Sequence, residues 1–365
     1  MQQKKWICTW LAAVLCLSGC NAEAESAAGG NIPQSASESE TTASSVTETE
    51  RPAETTAETV TFPAPEPYRF NPHVFSPKLS AVIPQENWDA FYHLCDALRA
   101  GETAFACASQ SAYEWATDSV VLGHLFPPAC MKISGESNDG SVPFENGTGR
   151  IYYQIPVAEY TARQAKFEKT VEDVLNTWLE PDDDDFEKCL KLYDYMESTY
   201  FYEEQPQDVK EGAHYYTIMT HKGICSALSG VYAYFLMQAG IDATEVGCFE
   251  PDMCHSWTYT VLDGKGYHTD PTWALKSDYD TDELFLDYFL MTDARRISGG
   301  CTVDDLTVDL LPGFWVSQSS LTFPAEDDRY AVLNHGTFVK LDEQNKLLHY
   351  LDTDGNPCTF SYGSQ

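Results

Sequence analysis

Cys225, His255 and Asp270 are the three side chains of this 365-residue chain whose types, in this order, could carry out acyl transfer. A thiolate attacks a carbonyl carbon, an imidazole moves the proton, and a carboxylate holds the imidazole in one tautomer. Each alone has a plainer explanation. Cysteines are among the most buried residues, and a histidine in a strand is commonly a satisfied structural group. The combination gains weight only if local elements bring the three together.

The elements can be read from the flanking sequence. In "KGICSALSGVYAYFLMQAGI" a helix is predicted to open at Cys225, with Gly223 before it and Gly240 after it as a stop. Leu228, Ser229, Tyr232, Leu236 and Ala239 follow Cys225 on one face at spacings of three and four. The thiol therefore belongs to the buried side, at the helix N-terminus. Free N–H groups and the positive end of the dipole favour thiolate there. The stretch "CHSWTYTVLDGKGYHTDPTW", Cys254 to Trp273, has alternating runs joined at Asp263-Gly264, a strong two-residue hairpin signal. That turn sets Leu262 opposite Lys265, Asp270 opposite Trp257 and His255 opposite Thr272. His255 and Asp270 then share one face, a diagonal step apart, which long side chains can bridge. His268 shares that face by parity. Cys225, Cys254, His255 and His268 are also zinc-ligand types. However, Cys254 and His255 are neighbours on a strand and point to opposite faces. No metal and no cofactor is therefore expected at this site.

As a set, "KGICSALSG", "HSW" and "YHTDPTW" resemble the signature blocks of the transglutaminase-like superfamily, whose fold is related to papain-like cysteine proteases. The resemblance runs from about Phe167 to Gly299 and includes "YFLMTDARR". It implies Cys225 as nucleophile, His255 as general base and acid, and Asp270 as the orienting carboxylate. One oxyanion donor would be the Cys225 backbone N–H. The second is not placed by the motif; Tyr215 and Tyr216 are the weak candidates. Cys254 and Ser256 depart mildly from the small-residue pattern around the histidine, and a Cys248–Cys254 bridge could stiffen the site.

The rest of the chain sets the context. Lys4 and Lys5 precede an apolar run, Trp6 to Leu17, too short to span a bilayer and laid out as an export signal. It ends in Leu-Ser-Gly-Cys20, which resembles the lipobox of bacterial lipoproteins and implies lipidation of Cys20. Residues 1–19 are read as signal peptide and 20–67 as anchor and a Ser/Thr/Glu/Pro tether, too poor in large apolar residues to fold. The segment 68–165 is expected to be α+β, 166–300 the catalytic core, and 301–365 β-rich. Predicted helices carry Trp88 to Leu98, ended by Gly101, and Phe167 to Trp178; Ile151–Ile155 reads as a strand. The run Asp182 to Asp185 is a helix-capping signal rather than a calcium loop. Nine cysteines remain in the mature chain, an odd number that suggests a free thiol in an exported protein. Acidic residues outnumber basic ones 56 to 22, which excludes a nucleic-acid partner and broad adsorption to anionic lipid.

The expected fold is α+β, a helix bearing Cys225 packed on an antiparallel sheet bearing His255 and Asp270. The expected function is a lipid-anchored enzyme on the extracellular face of the membrane. It would act on amide bonds through a thioester, as a peptidase or amidase of surface protein or cell-wall peptide. A protein-crosslinking transglutaminase is the alternative within that chemistry, and a non-catalytic binding or scaffold lipoprotein the alternative outside it.

Overall fold

The computed structural model describes residues 66–137, 140–203, 211–250, 253–279, 281–311 and 320–363. The expected signal, Cys20 and the expected tether up to residue 65 lie outside the described residues. No helix among the described residues is long and apolar enough to cross a membrane.

Helix α1, Gln85–Ala100, buries Trp88, Phe91, Leu94, Cys95 and Leu98 along one stripe and stops at Gly101, whose left-handed φ of 70° ends it as the sequence predicts. A short helix α2, Ser119–Leu125, is capped by the Asp118 carboxylate. Helix α3, Val157–Trp178, continues the predicted apolar stripe back to Tyr160. Helix α4, Asp185–Thr199, opens on a reciprocal cap: Asp184 accepts from the Glu187 N–H, and Glu187 accepts from the Asp184 N–H. Asp183 accepts from the Glu180 N–H and from Lys191. The acidic run is thus spent on helix capping and an ion pair.

Helix α5, Ala213–Thr220, leads through one extended step into helix α6, Cys225–Gln238. Every α6 residue except Ser226 is buried, the mark of a central helix packed on all sides. It lies against an antiparallel sheet of β1, Asp242–Glu250, β2, Met253–Leu262, and β3, Lys265–Thr269, in the order β3-β2-β1. The hairpin register is the expected one, with Lys265 opposite Leu262 and Thr269 opposite Thr258. Single bridges extend the sheet on both sides, Gly247 to Thr307 and His268 to Met291. Two bonds fix the helix to the sheet: Ser229 Oγ donates to the Ser256 carbonyl at 3.0 Å, and Thr258 Oγ1 donates to the Ser229 carbonyl at 2.8 Å. The Tyr232 hydroxyl donates to the Cys189 carbonyl and ties α6 to α4.

Helix α7, Asp293–Ser298, follows the sheet, and a C-terminal meander of β4, Thr337–Asp342, β5, Leu347–Leu351, and β6, Pro357–Ser361, completes the chain. The meander is held to α4 by Lys346 and Tyr362 on the buried Glu187. One local expectation is corrected. Ile151–Ile155 is not a single strand: Thr148–Arg150 pairs with Ala104–Ala106, and Tyr152–Tyr153 pairs with Ile133–Ser134. The chain changes partners at Ile151, and apolar alternation cannot show a change of partner.

Candidate active site

Cys225 occupies the first helical position of α6 and is 2% exposed. Its preceding residue, Ile224, has no side-chain group to cap the helix, so the first-turn N–H groups keep their donor capacity for another acceptor. The entry is tight. A Cβ at Gly223 would lie 2.6 Å from Thr217 Oγ1, so this step into the helix requires glycine.

The second half of the site is the hairpin. Asp270 directly follows β3 and is fully buried. His255 Nε2 lies 2.7 Å from Asp270 Oδ2, the orienting contact that the register allows. Arg296 of α7 donates from Nη1 to the same oxygen at 2.8 Å, and the Thr272 and Trp273 N–H groups donate to Oδ1 at 3.0 and 3.2 Å. Burial opposes ionisation of Asp270, but the charges of His255 and Arg296 and these donors outweigh it and hold the carboxyl at about 2. The carboxylate is therefore ionised at any physiological pH. With Nε2 committed to Asp270, Nδ1 is the ring atom that would exchange a proton with a thiol.

The ring is also fixed by packing. Trp273 stacks on His255 with centroids 4.5 Å apart and planes 10° from parallel. The Arg296 guanidinium lies 4.3 Å from the Trp273 ring centroid and 4.6 Å from that of Trp257. Its second arm donates from Nη2 to Cys301 Sγ at 2.7 Å. Cys301 also lies beside the thiol of Cys248, the residue opposite His255 in the sheet. The neighbouring Cys248 thiol, the Arg296 charge and His255 together lower the Cys301 thiol below its ordinary value, against its burial. Cys301 is thus a second thiol placed for ionisation beside the histidine, and it is 2% exposed.

Ser229 lies one turn below Cys225 and is bonded to Ser256, the residue after His255. Together with the Thr258–Ser229 bond, this packs α6 across the strand that carries His255. His268 shares the face predicted for it but has a structural task. Its Nδ1 accepts from Trp257 Nε1, and its Nε2 pairs with Asp293, both at 2.9 Å. Of the suggested second oxyanion donors, Tyr215 stacks between Phe167 and Arg163, and the Tyr216 hydroxyl donates to Glu203. Both have packing or pairing roles of their own. The Cys248–Cys254 bridge is not formed; all nine cysteines of the described residues are thiols, and Cys248 turns towards Cys301. Sequence reasoning missed Arg296 and Cys301. Both lie near "YFLMTDARR", but neither spacing nor charge told Arg296 from Arg295 or marked one thiol among nine.

Comparison with known proteins bears on the fold. Residues 172–271 match the model of the transglutaminase-like superfamily, a span holding Cys225, His255 and Asp270. No curated protein matches the chain. Among solved structures, a candidate cysteine protease from Cytophaga hutchinsonii is similar at 14% identity, over 31% of this chain and 39% of that one, with a TM-score of 0.26. The match spans well under two thirds of that protein, and the score is too low to carry an argument. Residues 172–271 are thus similar to the transglutaminase-like superfamily, and the described residues have the mixed helix-and-antiparallel-sheet architecture of an α+β fold.

Proposed function

We propose that this protein is a Cys-His-Asp acyl-transfer enzyme that forms a thioester on Cys225 and then passes the acyl group to water. Its substrate class is the amide bond of surface protein or cell-wall peptide. The enzyme is held at the extracellular face of the membrane through Cys20. The observation that carries the chemistry is the fully buried His255–Asp270 pair, 2.7 Å apart and braced by Arg296, on the strand to which the Cys225 helix is bonded. A buried imidazole–carboxylate pair with an arginine on the carboxylate is costly unless something uses its orientation. In the proposed cycle the Cys225 thiolate attacks the amide carbon, and the first-turn N–H groups of α6 stabilise the oxyanion. The His255 imidazolium then protonates the departing amine. Water attacks the thioester, His255 takes its proton, and the acid leaves with the thiol restored. The anchoring rests on the Leu-Ser-Gly-Cys20 motif and the polar stretch that follows it.

The test is to incubate the full-length protein with an amide-bearing peptide library, with and without a primary amine, and to analyse the products by mass spectrometry. Hydrolysis gives free acids that do not depend on the amine. Crosslinking gives amine adducts and would replace this reading with the transglutaminase alternative. No turnover under either condition, with Cys225 unreactive, would favour the scaffold reading.

A further inference from the structure

A second group of chemistry-bearing side chains lies apart from Cys225, His255 and Asp270, where α2, α5 and β1 converge beside α6. His124 of α2 and His214 of α5 meet edge to face with ring centroids 4.3 Å apart. Glu245 of β1 joins them, its Oε2 3.0 Å from His124 Nε2. Asp309, just after the bridge at Thr307, brings Oδ2 to 3.9 Å from the same nitrogen. His124, His214 and Glu245 are all buried, and one donor atom from each lies within 4.8 Å of the others. We propose that these residues form a binding site for a divalent transition ion of the zinc class, with Asp309 as its fourth ligand.

The donor set fits the ion. Zinc takes imidazole nitrogens and carboxylate oxygens at about 2.0–2.2 Å in a tetrahedron, which spaces ligand atoms about 3.3 Å apart. The 3.0 and 3.9 Å separations bracket that spacing. The surroundings fit as well. Histidines on a metal usually have the far nitrogen held by a carbonyl or carboxylate. Here Nδ1 of His124 faces the Val120 carbonyl and Nδ1 of His214 faces the Gly123 carbonyl, each at 2.9 Å. The Ser226 carbonyl of α6 also lies within reach of the His214 ring. A neutral imidazole has one N–H for two carbonyls, so one nitrogen keeps a lone pair, the form a metal takes. Helix α6 is shaped for this ring: a Cβ at residue 230 would lie 2.0 Å from His214 Nε2, and the residue is glycine.

A plain His124–Glu245 ion pair accounts for two of these side chains only. It does not engage the His214 ring beyond its carbonyl contacts, and it sets a second carboxylate, Asp309, against the first. A divalent cation balances both carboxylates and engages all four residues. Four protein ligands close the coordination sphere, which marks a structural site. It would clamp α5, the element leading into the Cys225 helix, to α2, β1 and the 307–309 segment. The Asp309 side chain is 38% exposed and gives the ion a way in.

The test uses the full-length Cys225→Ser protein, so that the candidate nucleophile cannot bind the ion. Zinc is titrated calorimetrically, and cobalt is followed by its visible spectrum. The proposal predicts one equivalent of zinc, cobalt bands of a four-coordinate nitrogen–oxygen site without a thiolate charge-transfer band, and a zinc-dependent rise in thermal midpoint. Glu245→Gln should abolish all three. Asp309→Asn should weaken binding by about 10- to 100-fold. Lack of uptake, a thiolate band, or unchanged affinity in both folded variants would overturn it. If Glu245→Gln does not fold, Asp309→Asn decides alone, and unaltered affinity there refutes the site.

Discussion

Arg296 is the residue whose removal tests the wiring of the site most finely. Its guanidinium and the His255 imidazole share one oxygen of Asp270, through contacts of 2.8 and 2.7 Å. The two cationic groups are therefore about 5 Å apart, which at an effective dielectric near 20 is about 3 kcal/mol of repulsion when the ring is protonated. Asp270 lies between them and screens part of it, so Arg296→Met should make the imidazolium easier to keep by one to two pH units. The basic limb of Cys225 alkylation against pH should move upward by that amount. Arg296 is 1% exposed, and breaking a buried pair costs about 3–5 kcal/mol, so the thermal midpoint should fall by on the order of 10 °C. The assay is alkylation followed residue by residue by mass spectrometry between pH 5 and 10, at a temperature where the variant is folded by circular dichroism. Cys301 supplies an internal control, because it loses its Arg296 contact and should become less reactive at neutral pH. A folded variant with an unmoved basic limb for Cys225 would show that Arg296 acts on packing alone.

Three further outcomes are expected, two from the same geometry and one from the Leu-Ser-Gly-Cys20 motif. Asp270 is held at about 2 against an ordinary value of 3.8, so its contribution is complete above pH 4 and lost as pH falls towards 2. That is about 2 kcal/mol, and urea unfolding of wild type and Asp270→Asn should converge across this window; a pH-independent difference would contradict the assignment. Asp270→Asn should also lower turnover by about four orders of magnitude while keeping the fold, as loss of the orienting carboxylate does in other triads, measured as kcat on any substrate found. Cys20→Ala should release the protein from the membrane fraction or block its processing, read by fractionation and immunoblot; unchanged retention and processing would count against lipidation.

Much of the candidate site was legible because its determinants are local. The Asp263-Gly264 turn fixes the register, and register fixes which side chains share a face, so His255 and Asp270 could be paired from sequence. The start of α6 was legible from Gly223 and the apolar run after Cys225. Arg296, Trp273 and Cys301 were harder, since their roles depend on how α7 folds back over the sheet, and no short-range pattern encodes that path. The His124–His214–Glu245 group was invisible for the same reason. Its members lie far apart along the chain, on helices and a strand whose packing is set by the whole core. The nine-cysteine count pointed to a free thiol but gave no pairing, and the environment of Cys301 arises only from tertiary contacts with Arg296 and Cys248.

The central claim is that Cys225 is the reacting thiol and His255 its proton partner. Labelling of the full-length protein with a thiol-directed acyl probe, with the modified residue mapped by peptide mass spectrometry, tests it most directly. The account predicts label on Cys225 at a rate well above every other cysteine, abolished in Cys225→Ser and strongly slowed in His255→Ala. Label on Cys301 instead, or a Cys225 rate that His255→Ala leaves unchanged, would contradict it.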